Sequence, residues 1–331
     1  MSSISLPQLQ DNNDSVPAPV RPGTRTTRRF LRGDDVARGV VGAAALLILI
    51  ITAALIYELW TNSTMSRAKF GWNFLITNTW DPNAGEFGAL PFLYGTVVTS
   101  AIALIIGVPL GVGAAIFLAE LAPRRISTAI TFCIELLAAV PSVIYGLLGV
   151  FVMIPLLKST VGPALKVTLG WTPLFSGPFY GVSLLSAGIV LALMVLPFIV
   201  SVSRQVLLTV PHEQREGALA LGATKWETTW QVVVPFAKRG IAGSIFLALA
   251  RALGETMAVT MVIGNAPKIS ASLFAPGYSI AAVIANEFTE ATFDLYVNSL
   301  IELGLVLFAL TIVINGLARL LVSGNSATAG H

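Results

Sequence analysis

Arg251 and Glu255 stand four residues apart in a run that is otherwise uncharged from 241 to 264. On one continuous helix they share a face and can pair. Arginine before glutamate is the less favourable order, so helix stability alone is a poor reason for the arrangement. A guanidinium never deprotonates and can donate two parallel hydrogen bonds to an oxyanion. Arg251 is about twelve residues into a helix that enters from the basic side, which is roughly 16–18 Å of depth. There it costs at least about 2.5 kcal/mol and has to face a bundle interior. Two readings stay open: an arginine that exchanges Glu255 for a passing anion, and an ion pair that locks helices together. Glu135 lies near the end of another apolar run and can reach Arg251 or a partner chain. Ser142 and Tyr145 offer hydroxyls beside Pro141, with helix packing as their ordinary role. Glu58 and Glu302 fall at the outer ends of apolar runs and read as solvated or snorkelling.

Other chemistry is excluded by what the chain lacks. A single cysteine, Cys133, forbids an intrachain disulfide and any cysteine metal cluster, and reads as a small buried hydrophobe. Two histidines, His212 and His331, are too few for a zinc site. No GxxxxGK[ST] stretch is present, so the chain has no P-loop and does not itself hydrolyse ATP.

The elements that must position these residues follow from composition. Of 331 residues, 55% are hydrophobic and only 11% charged, and mean hydropathy is +0.80. A soluble domain has about 25% charged residues. The expected class is all-α: a polytopic membrane protein. Six stretches are long enough to cross a bilayer, about 39–59, 92–118, 129–157, 182–202, 241–264 and 299–321. Pro109, Pro141 and Pro197 fall inside them, which neighbouring helices can accommodate. Gly107, Gly111, Gly113, Gly146 and Gly149 permit close helix packing.

With the N-terminus inside, the inner segments hold 14 of the 20 basic residues and the outer loops five. That bias places both termini in the cytoplasm. Residues 1–38 read as a disordered basic tail, 39–322 as the transmembrane domain and 323–331 as a short cytoplasmic tail. The tail abuts a span, so its arginines serve topology rather than nucleic acid. Trp60, Trp72 and Trp80 suit the outer interface. Ile280, Val283, Ile284 and Phe288 mark a short amphipathic helix on the outer face or plugging a vestibule. No internal repeat is visible, which weakens an inverted-repeat secondary transporter.

The longest inner loop, 203–240, is larger than topology requires. Pro211 starts a helix with Glu213 and Glu216 in its first turns, where the dipole favours acids. Gly222 breaks it. A second helix, 223–234, carries Trp226 and Trp230, and Pro235 ends it. Small and aromatic residues on a helix–glycine–helix look built to dock.

These residues carry a resemblance. The signature E-A-A, three residues, G, nine residues, I-x-L-P belongs to permeases of the smaller (type I) ABC importers. Here Glu216, Gly217, Ala218, Gly222, Val232, Val234 and Pro235 match its spacing, with glycine for the first alanine and valines for isoleucine and leucine. RALGETMAV at 251–259 and ELLAAVPSVIYGLLG at 135–149 further resemble the phosphate-specific (Pst) permeases, as does 273–288. The similarity covers roughly residues 93–320.

The resemblance implies a type I importer permease fold in a prokaryotic inner membrane, with spans two to six as core and the first peripheral. It implies a non-enzymatic transport subunit: half of a phosphate pathway lined by Arg251, Glu255 and Glu135. Glu216, Gly217, Ala218, Gly222 and Pro235 would couple it to an ATPase. Implied partners are a PstA-like second permease, two PstB-like ATPase subunits holding ATP and magnesium, and a PstS-like phosphate-binding protein outside; this chain itself holds no cofactor. A permease for sulfate or molybdate fits the loop equally, while RALGETMAV favours phosphate. A secondary phosphate transporter acting alone leaves residues 211–235 without a purpose.

Overall fold

The computed structural model describes residues 27–324, with side chains described for 35–320. Residues 1–26 and 325–331, most of both expected tails, lie outside the described residues. Two units divide at Leu55. In the first, the described backbone is the larger part of one helix, α1 (Thr27–Asn62), so helix already covers residues 27–38. Among the described residues every regular element is helical, and six helices are long and apolar enough to cross a membrane.

The second unit opens with a short helix, α2 (Thr64–Phe70), after the last turns of α1. α3 (Leu90–Ile116) carries proline in its first turn, where the missing N–H has no partner to lose. It widens into a π-type turn, Phe117–Leu121. An amphipathic helix, α4 (Arg124–Ala138), follows, and then α5 (Ser142–Leu148). α5 continues through wide turns at Gly149–Met153 and Leu157–Val161 into α6 (Gly162–Leu169).

The third span is therefore Ser142–Leu169 and not 129–157. Pro141 ends one helix and starts the next, because it offers no N–H and pushes Val140 out of helical geometry. The first half of the expected outer loop 158–181 is helical as a result. Cys133 is exposed on α4 rather than buried, beside exposed Phe132 and Leu136.

α7 (Leu184–Leu208) is the centre of the bundle. Ser183 caps it by accepting from Ser186 N. Its buried Val190, Leu191, Val195 and Ile199 pack with Ala103 of α3 and with later helices. Inside a bilayer, lipid competes for apolar surface, so close packing of small residues holds helices together. A Cβ on Gly111 of α3 would sit 2.8 Å from Ile199 Cγ2, and one on Gly188 would sit 2.5 Å from Ile102 Cβ. Only glycine allows that approach.

The loop helix α8 (His212–Ala220) leads to a one-turn helix, Lys225–Thr228, a wide turn at Thr229–Val233, and α9 (Val234–Leu253). Pro235 sits in the first turn of α9 and begins that helix rather than ending the one before. The fifth membrane run, Lys225–Leu253, stops at Gly254. After the break comes α10 (Met257–Ile263), so 241–264 is not one helix.

After α10, α11 (Ile280–Glu287) is capped by Ser279 and buries Ile280, Ala281, Ala282 and Val283. α12 (Asp294–Gly324) is the last span. Phe74, Trp80, Phe87, Phe92, Tyr278 and Tyr296 form a buried aromatic cap with α11 and the head of α12. Of the three tryptophans expected at the interface, Trp72 is fully exposed in character, while Trp80 is buried in that cap. Trp60 lies under the Arg67 guanidinium, 3.7 Å from the ring centre.

Candidate functional site

The intramembrane charges gather at the break between α9 and α10. Arg251 is in the last turn of α9 and is exposed. Glu255 sits past the break, and its Oε1 accepts the N–H of Ala258 at 3.2 Å, capping α10. The two do not form an ion pair: Gly254 interrupts the helix between them, so the i, i+4 register no longer applies. Glu135, on α4, is exposed and does not pair with Arg251 either. Among the described residues Arg251 has no carboxylate partner and no hydrogen bond.

Tyr145 connects these residues. A Cβ on Gly146 would lie 3.1 Å from Ala258 Cα, so α5 packs tightly on α10. That contact sets Tyr145, the neighbour of Gly146, on the helix packed against α10. The Tyr145 hydroxyl donates to Leu137 O at 2.8 Å, tying α5 to the end of α4 two residues from Glu135. Unwound backbone at membrane depth is tolerated only where protein buries it or water lines it. An exposed, unpaired guanidinium at such a break is equipped to donate to an anion.

Two expected bystanders divide. Glu58 is exposed, and its Oε1 accepts from Asn62 Nδ2 at 2.8 Å. Glu302 is buried at 5% exposure, and its Oε2 has no hydrogen-bond partner. Its position eight residues into α12, packed against α2, encloses it; the span edge alone did not reveal that.

The inner loop has a different character. No residue of α8 is buried. Glu216 and Gly217 are exposed and Ala218 half-buried. The helix closes with Gly222 N donating to Leu219 O at 3.0 Å and Ala223 N to Ala218 O at 3.2 Å. Gly222 adopts φ +90°, a left-handed conformation that favours glycine, and the chain reverses there. Thr224 and Glu227 then form a capping box for the one-turn helix. Leu221 is 90% exposed. Exposed Trp226 and Trp230 stack edge to face with ring centres 5.6 Å apart. Pro235 is exposed as well, on the first turn of α9.

Sequence reading missed one pair here. Arg215, adjacent to Glu216, forms an ion pair with Glu120 at 2.8 Å. The available signal was that Glu120 is the only acid between Glu86 and Glu135.

Residues 107–326, which hold both the helix break and the loop, match the family described as binding-protein-dependent transport system inner membrane component. The chain belongs to that family. As one of these inner membrane components it is a multi-pass membrane protein. It is 47% identical, over the whole of both chains, to the phosphate transport system permease protein PstC of Mesorhizobium japonicum. To the protein of the same name from Haemophilus influenzae it is 47% identical over 86% of this chain and 92% of that one. A probable PstC from Methanocaldococcus jannaschii is 34% identical over 88% of this chain and 94% of its own length. Among solved structures, a bacterial ABC transporter that imports the acidic polysaccharide alginate superposes with TM-score 0.57 and 16% identity, covering 88% of this chain and 98% of that chain. That likeness shows that the two chains share a fold.

Proposed function

We propose that this chain is the permease subunit that forms half of the translocation pathway of an ATP-driven inorganic phosphate importer. The observation that carries the reading is Arg251: a guanidinium with no carboxylate partner among the described residues, exposed at the break in a membrane helix. The names of relatives at 34–47% identity favour phosphate over sulfate or molybdate, which the same guanidinium would also accept. A transporter acting alone is disfavoured by the inner loop, whose apolar side chains are presented and not buried.

In this reading Arg251 receives phosphate through paired N–H donors. Glu255 does not compete for the guanidinium; its carboxylate holds the start of α10 and so the shape of the break. Glu135, exposed on α4, lines the same pathway. Glu216, Gly217, Ala218, Gly222 and Pro235 form the segment that docks an ATPase, with Trp226 and Trp230 beside it. The partners are a PstA-like permease, two PstB-like ATPase subunits and a PstS-like binding protein outside. ATP and magnesium belong to the ATPase, and both ends of the chain are cytoplasmic. Closure of the ATPase pair draws the docked helices together and swings the spans between inward- and outward-open states.

The test is labelled-phosphate uptake at low external phosphate, in cells lacking their own version of this chain, with the chain restored as wild type or as Arg251→Gln. Uptake should return with wild type and fail with the variant while the complex still assembles. Normal uptake by an assembled Arg251→Gln complex would reject the arginine's role. No uptake with the wild type, with all partners present, would direct the same assay to sulfate and molybdate.

A further inference from the structure

Arg215 lies on α8, the helix that the preceding reading docks to the ATPase, yet its side chain points away from that docking face. It is 14% exposed and Glu120 is 11% exposed. Two nitrogens of the guanidinium engage both oxygens of Glu120: Nη2 donates to Oε1 at 2.8 Å and Nε to Oε2 at 3.3 Å. Nη2 also donates to Leu207 O at 2.8 Å, and Nη1 donates to Val210 O. One planar group thus joins three segments: α8, the wide turn that ends α3, and the carbonyls of Leu207, in the last turn of α7, and Val210, just beyond it.

The rest of α8 is held weakly. It has no buried residue. Its packing is on Lys225–Thr228 and the turn at Thr229–Val233, both parts of the stretch that leads from the loop into α9. α3 and α7, by contrast, interlock along their length through Gly107, Gly111 and Gly188. Besides the chain linker 209–211 and its packing on the stretch that leads into α9, α8 therefore has one short, stiff, charge-assisted link to the end of α3, and that link is the guanidinium. A bidentate fork resists rotation as well as separation, which a single lysine contact would not.

We propose that Arg215 and Glu120 form the clamp that transmits movement of α8 to α3 and α7. Arg215 is a positioning residue: it touches neither cargo nor nucleotide. It makes α8 and the α3–α7 pair a single rigid body during the ATP cycle. Breaking it leaves α8 joined to α7 only through residues 209–211 and to α9 through its packing, so that its movement reaches the α3–α7 pair incompletely. This rests on the docking of an ATPase at α8, and the experiment separates the two ideas.

The complete complex, reconstituted in liposomes with its ATPase, is compared as wild type, Arg215→Gln and Glu120→Gln. Phosphate imported per ATP hydrolysed should fall about tenfold in either variant, equivalent to about 1.4 kcal/mol of coupling. The second readout is independent of cargo. Spin labels at Leu219 on α8 and Leu110 on α3, both exposed, are introduced with Cys133 replaced by serine. In the wild type their separation should stay the same with and without ATP; in Arg215→Gln it should become nucleotide-dependent. A wild-type ratio of phosphate to ATP, or a separation in the variant that ignores nucleotide, overturns the clamp. If Arg215→Gln does not assemble, Arg215→Lys, which keeps the charge and loses the fork, is read in the same way. If the wild type imports no phosphate, the cargo assignment fails and the label separation still decides the clamp.

Discussion

The aromatic cap and the loop between α7 and α9 both carry tryptophan, and they treat it in opposite ways. In the cap, Trp80 is buried with ring centres 4.8 Å from both Phe87 and Phe92, and its Nε1 donates to Glu287 Oε2 at 2.8 Å. Tyr296 donates to the same oxygen at 2.7 Å. Every large ring there has a neighbour, and the one carboxylate has two donors. In the loop, Trp226 and Trp230 have each other and otherwise face outward, near Leu221. The cap is completed by its own side chains. The loop presents apolar surface that its own side chains leave uncovered.

That contrast can be broken most forcefully at Trp80. Trp80→Ala empties the centre of the cap and removes one donor from Glu287. A large aromatic deleted from a packed site costs about 3–5 kcal/mol. Thermal unfolding of the purified chain in detergent should show this as a large drop in midpoint. A drop no larger than that of an exposed-site control such as Trp72→Ala would mean the cap contributes little.

Trp226→Ala sharpens the other side. Exposed substitutions change stability within about 0.5 kcal/mol, so the unfolding midpoint should hold. Buried aromatic anchors at interfaces are worth about 2 kcal/mol or more, so retention of the ATPase on the purified complex should fall at least about tenfold. Equal loss of midpoint and retention would place Trp226 in the fold rather than the docking surface.

Gly222 isolates the backbone contribution to the same surface. No atom lies within 4 Å of a Cβ built there, so side-chain size is not the obstacle. The obstacle is φ +90°, which costs about 1–2 kcal/mol for an ordinary L-residue. Gly222→Val should therefore weaken ATPase retention more than Gly222→Asn, which tolerates left-handed geometry. Identical retention in the two variants would show that the turn does not set the docking geometry.

How much of this was legible before the structure follows from how local each feature is. Spans announce themselves because roughly 20 apolar residues are needed to cross a bilayer whatever they touch. The helix–glycine–helix of the loop is equally local: Pro211 and Gly222 act on their own backbone. The break after Arg251 was hidden because the run 241–264 is apolar on both sides of Arg251 and Glu255, while the break is held by α5 packing on α10 at Gly146. Pro141 was visible, but whether a proline bends a span or ends it depends on its neighbours. Glu302 was misjudged for the same reason: its enclosure comes from α2. Glu120 and Arg215 are 95 residues apart and could be joined only by the fold.

The gentlest test of the comparison is pH, through Tyr278 in the cap. Burial pushes its phenol from the ordinary 10.0 up to about 12, opposed in part by the hydrogen bond donated by Asn286 and reinforced by the charge of Glu287. Asn286 Nδ2 reaches the phenol oxygen at 3.0 Å. A folded value above the unfolded one means that the native state holds this proton more tightly. The stabilisation is therefore present in full below pH 10 and is lost as pH rises through 12. Wild type and Tyr278→Phe should keep a constant difference in unfolding midpoint from about pH 6 to 9, where a phenol stays neutral in both states. Above pH 10 the wild type should lose stability relative to the variant, because only the wild type has a phenolate to bury. ATPase retention through the loop should not follow that change, since Tyr278 is packed among the cap's rings and none of the loop's docking residues touches it. A difference that already varied between pH 6 and 9 would mean that the phenol is not held as the burial requires, and the cap would then be less closed than the loop is open.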